Sequence, residues 1–184
     1  MTLLDFFARW RVRLGYALAL VVLWLARPTP SSIAIGAVIG FAGVSMRTYA
    51  AGYLSKQEVL TTTGPYARTR NPLYLGSGML TLGAAAALRS VWAAVLLLVY
   101  FILVYSLVMR REEMELRQKH GDAFSVYATA VPLFFPKLFG ASRAATTGAG
   151  FSWAQYRKNH EYEAAIGFIA LLTGLVLIWW LRSR

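Results

Sequence analysis

Cysteine is absent from the chain. Its absence removes disulfides, thiolate metal sites, a nucleophilic thiol and the prenylated or palmitoylated cysteine of a lipid anchor, and it leaves the redox compartment unread. Charge is also scarce. Asp, Glu, Lys and Arg make up 15% of the residues against 58% hydrophobic, with a mean hydropathy of +0.50, too apolar a balance for a water-soluble domain of this size. Acidic residues are the scarcest of these, 8 against 19 Lys and Arg, for a net charge of +11. A basic excess of that size invites nucleic acid as a partner. The cations form no single arm, however, and alternate with apolar runs, so membrane lipids with anionic headgroups are expected and nucleic acid is not.

Apolar stretches dominate what is present. Runs over 12–26, 31–51, 73–88, 91–109 and 164–181 approach the roughly 20 residues a helix needs to cross about 30 Å of hydrocarbon. The first follows Arg9, Arg11 and Arg13 as a secretory leader would. Trp24 and Leu25 before Ala26 make a poor cleavage site, and further spans follow at once, so a first transmembrane helix is expected instead. The second contains Arg47 near its end, a position from which a long side chain is expected to snorkel to the interface. Arg89 and Ser90 alone separate the third and fourth runs, which implies a tight antiparallel hairpin. Trp179, Trp180, Arg182 and Arg184 close the last run as an interface anchor. The expectation is an all-α, polytopic transmembrane helical bundle of about five spans.

Basic residues orient the bundle. With the N-terminus inside, only Arg27, Arg89, Arg182 and Arg184 fall on the far side, so a cytoplasmic N-terminus is expected. The two longest polar segments, 52–72 and 110–163, then lie on the cytosolic side, and any chemistry belongs there. Gly64-Pro65-Tyr66 and Arg70-Asn71-Pro72 form a turned entry to the third helix, whose first amides are free to face a carboxylate or phosphate. A plain structural turn with Arg68 and Arg70 obeying the positive-inside bias is the alternative. Glu112 and Glu113 sit at the end of the fourth run, in a helical stretch expected to break at Gly121. Neighbouring positions differ by about 100° around a helix, so at most one of the two is expected to face a given pocket. Phe124, Tyr127, Val131, Pro132 and Pro136 follow in a stretch too broken for a span and too apolar for a free loop, expected to lie at the interface as a roof.

Taken together, Gly64-Pro65-Tyr66, Arg70-Asn71-Pro72, Tyr74, Gly76, Glu112-Glu113, Leu116, Gly121, Tyr127 and Val131-Pro132 resemble the isoprenylcysteine carboxyl methyltransferase and phospholipid methyltransferase superfamily over about 47–136. Asn71 stands where the isoprenylcysteine branch usually has histidine. The resemblance implies S-adenosylmethionine as cofactor in a pocket on the cytosolic side, with a lateral opening to the bilayer. It also implies that Gly76-Ser77-Gly78 and Glu112-Glu113 correspond to the two cofactor-binding motifs. One membrane domain over 1–184 is expected: two spans in 1–51, a cofactor-binding core in 52–140 with the hairpin 73–109, and a linker, interfacial segment and last span in 141–184.

The cofactor's carboxylate suits Arg70 and the helix-start amides, and its ribose and ammonium suit a glutamate. Tyr66, Tyr74 or Tyr127 offers a cation–π face to the sulfonium, and the residues leave open which. Candidate cofactor contacts are therefore Gly64, Tyr66, Arg70, Asn71, Tyr74, Gly76, Gly78, Glu112, Glu113 and Tyr127. In-line methyl transfer needs alignment and exclusion of water, not a catalytic triad. The polar cluster 156–163 is a candidate substrate lid, with Arg47, Arg157, His160 and Glu161 toward the substrate and His160 available to take a proton from an amine. An interfacial helix is the other reading of that cluster, and a metal site from His160, Glu161 and Glu163 is not expected. Arg70, Glu113 and His160 are the candidate catalytic residues for a lipophilic phospholipid amine or isoprenylcysteine-like carboxylate, the accepting atom being nitrogen, oxygen or sulfur. A membrane reductase of sterol-like substrates using NADPH and a non-catalytic scaffold are the alternatives.

Overall fold

The computed structural model describes residues 3–55, 59–137 and 150–184, with side chains described from Arg13 onward. All regular elements among the described residues are helical: α1 (Leu3–Leu25), α2 (Pro30–Tyr53), a 3-10 turn (Gly64–Ala67), α3 (Pro72–Leu88), α4 (Val91–Ala130), α5 (Trp153–Lys158) and α6 (Tyr162–Arg182). The all-α architecture is the one expected. Of the connection expected over 140–150, only Gly150 lies among the described residues.

Helices α2, α4 and α6 are long and apolar enough to cross a membrane. Their large side chains confirm the solvent: Val38, Phe41, Ile102, Leu103, Ile166 and Ile169 are exposed, a surface that water would not tolerate and lipid favours. The chain is an integral membrane protein. The other two expected spans fold as shorter apolar helices, Arg13–Leu25 within α1 and Pro72–Leu88. At 1.5 Å per residue the latter reaches only about 25 Å.

Local chemistry sets the ends. The Thr29 amide donates to Ser32 Oγ at 2.9 Å and the Ser32 amide to Thr29 Oγ1 at 3.3 Å, which satisfies donors at the start of α2. Arg89, at φ 47°, makes the minimal turn from α3 to α4. Gly121, at φ 51° and ψ −123°, interrupts α4 at the expected break, in a region of backbone space that favours glycine.

Contacts divide the chain into two compact units: Met1–Gly43, Gly78–Arg111 and Ile166–Arg184 in the first, Val44–Ser77 and Glu112–Ala165 in the second. Val22, Ala26, Ala87, Leu88, Ala93 and Leu175 form the core of the first. Small residues let backbones touch there. A Cβ built on Gly36 would lie 2.4 Å from the Gly83 carbonyl oxygen, and one on Gly83 would lie 2.7 Å from that of Gly36. The Arg27 amide donates to Leu88 O at 2.9 Å, and the Arg182 guanidinium reaches Ala26 O, capping the end of α1.

Gly36→Ala is accordingly expected to force α2 from α3 and cost about 1–3 kcal/mol. Gly174→Ala, in α6 where nothing among the described residues lies within 4 Å of the added carbon, is expected to be neutral or stabilising by up to about 1 kcal/mol. Thermal unfolding in detergent measures both.

Candidate functional site

The polar side chains of interest meet in the second unit, and the turn before α3 positions them. Gly64 adopts φ 59°, and a Cβ there would meet the Tyr53 ring at 2.6 Å, so this turn requires glycine. Pro65 sits in the first positions of the 3-10 turn, in which Pro65, Tyr66 and Ala67 are buried. The Tyr127 hydroxyl donates to Tyr66 O at 2.8 Å. Beyond the turn, residues 68–71 are laced to 132–137. The Arg70 amide donates to Pro132 O at 2.9 Å and the Lys137 amide to Arg68 O at 3.0 Å. Thr69 Oγ1 donates to Phe134 O at 2.9 Å and Asn71 Nδ2 to Leu133 O at 3.0 Å. Phe124, Tyr127 and Val131 form the buried cluster under this lacing, so the stretch expected as a roof is a helix end and a strap that grips the entry turn.

That grip aims Arg70 and Tyr74 at the two glutamates. Arg70 Nη1 forms an ion pair with Glu113 Oε1, and the Tyr74 hydroxyl donates to Glu112 Oε1 at 2.5 Å. At most one of the adjacent glutamates was expected to face a given pocket; each has its own partner, because Arg70 lies before the start of α3 and Tyr74 within its first turn, presenting two partners at different heights.

Arg47 makes the second charged station. Nη2 pairs with Glu161 Oε2 at 2.6 Å, and Nη1 donates to Ser77 Oγ at 2.5 Å and Leu73 O at 3.4 Å. The two ion-paired side chains are 19% and 9% exposed. The expectation that Arg47 snorkels outward is corrected: a carboxylate and a hydroxyl within reach hold the guanidinium inside the unit. Three buried side-chain polar atoms among the described residues have no hydrogen-bond partner: Arg47 Nε, Tyr66 Oη and Arg70 Nε. Burial, reinforced by the nearby Tyr127, Glu161, Glu112 and Tyr74, holds the Tyr66 phenol well above its ordinary pKa. Burial raises Tyr127 too, against an opposing pull from Arg70. Both are neutral hydroxyls at physiological pH.

The remaining candidates divide. Gly76 is buried in α3 beside this group, while Gly78 belongs to the first unit. Arg157 and His160 are exposed, and His160 Nδ1 lies 3.0 Å from the Tyr162 hydroxyl. His160 has φ 55°, and at this turn between α5 and α6 Glu161 reaches inward to Arg47 while His160 stays exposed. Sequence reasoning missed Asn159 and Gln155. Asn159 Nδ2 donates to Ala51 O and Leu54 O, both at 2.9 Å, and Gln155 Nε2 donates to Leu54 O at 2.6 Å, which caps the end of α2. Two amides one helical turn apart in an otherwise charged cluster were the available signal. Among the described residues no group of three His, Asp or Glu is arranged to hold a metal ion.

Paired glutamates thus face an Arg-Asn-Pro entry within a helical membrane scaffold. The family model of the phospholipid methyltransferases matches residues 10–123, and the chain belongs to that family. It is 37% identical over 106 residues to a nickel-cobalt-cadmium resistance protein of Alcaligenes xylosoxydans xylosoxydans, covering 54% of this chain and 49% of the relative. It is 32% identical over 136 residues to a cobalt-zinc-cadmium resistance protein of Cupriavidus metallidurans, covering 70% of this chain and 62% of the relative. The chain thus spans about half to three-fifths of the length of these curated relatives. No solved structure matches it.

The geometry makes the Arg47–Glu161 pair thermodynamically coupled. Glu161→Ala is expected to destabilise by about 3 kcal/mol, since it strands a buried guanidinium, whereas Arg47→Met with Glu161→Leu is expected to cost less than Glu161→Ala alone. Melting of the double variant and of the Arg47→Met and Glu161→Leu singles completes the cycle, and additive losses would contradict the coupling.

Proposed function

We propose that the chain transfers a methyl group from S-adenosylmethionine to a lipophilic acceptor, a phospholipid amine or an isoprenylcysteine-like carboxylate, with its N-terminus and its site toward the cytosol. The observation that carries this reading is the set of partners around Arg70. Its Nε is buried without an acceptor among the described residues while Glu112 and Glu113 stand beside it. A buried donor lacking a partner is costly unless a ligand supplies one. The cofactor fits that donor set: its carboxylate is an acceptor for Arg70, and its ribose hydroxyls and ammonium are donors for the glutamates.

When bound, S-adenosylmethionine supplies an electrophilic methyl on a sulfonium and leaves as a neutral thioether. The chain's own contribution is to bind, orient and exclude water. Arg70, fixed through its backbone to Pro132, provides a rigid cationic anchor. Glu113 is held by Arg70 and Glu112 by Tyr74, so both carboxylates are oriented before a ligand arrives. The Arg47 station, whose Nε has no partner among the described residues, offers a second donor for an oxygen of the acceptor molecule. His160, exposed and joined to Tyr162, is assigned no contact with either ligand in this reading.

Membranes carrying the protein, incubated with methyl-labelled S-adenosylmethionine and a total lipid extract, are expected to place label in the organic phase. Arg70→Lys and Glu113→Gln are expected to weaken cofactor binding about tenfold, or about 1.4 kcal/mol, in protein that still melts cooperatively. Unchanged affinity in both, together with Glu112→Gln, would overturn the assignment.

A further inference from the structure

Three tyrosines of the second unit were equal candidates for the cofactor's positive centre, and their hydroxyls now differ. That of Tyr127 is spent on Tyr66 O at 2.8 Å, and that of Tyr74 on Glu112 at 2.5 Å. The hydroxyl of Tyr66 is buried and bonded to none of the described residues, in a residue only 6% exposed. The fold does not need it. Gly64, Pro65 and the bond from Tyr127 fix the turn through its backbone, so the phenol oxygen is held in place without contributing to what holds it.

A polar atom kept buried and unpaired is a standing cost, and such atoms in native proteins call for an explanation by function or ligand. The charged groups near Tyr66 narrow the ligand. The carboxylates of Glu161 and Glu112 both bear on it in the sense that disfavours added negative charge. A ligand group meeting the oxygen there is favoured if it is positive. A neutral phenol gives such a group two lone pairs and an aromatic face, whichever way its proton turns.

We infer that Tyr66 is the residue that reads the charge on the cofactor's sulfur: its hydroxyl oxygen meets the polarised C–H groups around the sulfonium. The inference rests on the S-adenosylmethionine reading above and adds a property to it. Contacts of this kind depend on the charge of the donor carbon's neighbour. The neutral thioether product loses them, so Tyr66 discriminates the charged cofactor from its spent form and favours exchange of one for the other.

Tyr66→Phe tests this in the full-length protein in detergent, because it removes the oxygen and keeps the ring. The melting temperature is expected to be unchanged or raised, since no partner among the described residues is lost. Calorimetric affinity for S-adenosylmethionine is expected to fall about tenfold while that for S-adenosylhomocysteine holds within about twofold, consistent with loss of a single polar contact. Equal losses for both ligands, no loss for either, or a marked fall in melting temperature would each overturn the inference. If the unsubstituted protein binds neither ligand, the cofactor reading itself fails and takes this inference with it, a result distinct from any change confined to the variant.

Discussion

Arginine does not give up its proton inside a protein, so a guanidinium taken away from water must be met by acceptors that the chain itself provides. In the second unit two arginines impose that demand, and the rest of the arrangement answers it. Arg47, within the apolar helix α2, draws Glu161 from the turn before α6 and Ser77 from α3. Arg70, before α3, draws Glu113 from α4. These pairs join parts of the sequence that hydropathy alone leaves unrelated. They also explain why the strap over 132–137 matters: it fixes the backbone from which Arg70 projects.

The elements were largely legible because their signals are local. Apolar runs, a glycine at 121 and a proline at 72 mark helix bodies and ends within a few residues of themselves. The pairing of Arg70 with Glu113 spans 43 positions, and no periodicity reports it. Resemblance to other sequences carrying both motifs assigned them to one cofactor site without pairing these two side chains. Arg47 shows the limit more sharply. Hydropathy says that a charge in α2 is expensive, but not whether it escapes outward or inward. The answer lies in a glutamate 114 positions away. Glu161 and His160 are neighbours in an evenly polar cluster, and only the left-handed turn at His160 decides which of them reaches the interior.

The family match runs from residue 10 to residue 123 and so includes Arg47, the entry turn, α3 and both glutamates of α4. Tyr127, which secures the turn carrying Tyr66, and Glu161, which holds Arg47, lie past it. The portion proposed to grip the cofactor therefore falls in the stretch shared with the family, and part of the Arg47 station falls outside it. Pre-paired carboxylates and a rigid turn suit a methyl transfer that relies on alignment more than on acid–base groups.

Calorimetric titration of the detergent-purified protein with S-adenosylhomocysteine and, separately, with NADPH tests the central claim most directly. The account predicts micromolar binding of S-adenosylhomocysteine and none of NADPH. Binding of NADPH alone, or of neither ligand by protein that unfolds cooperatively, would contradict it.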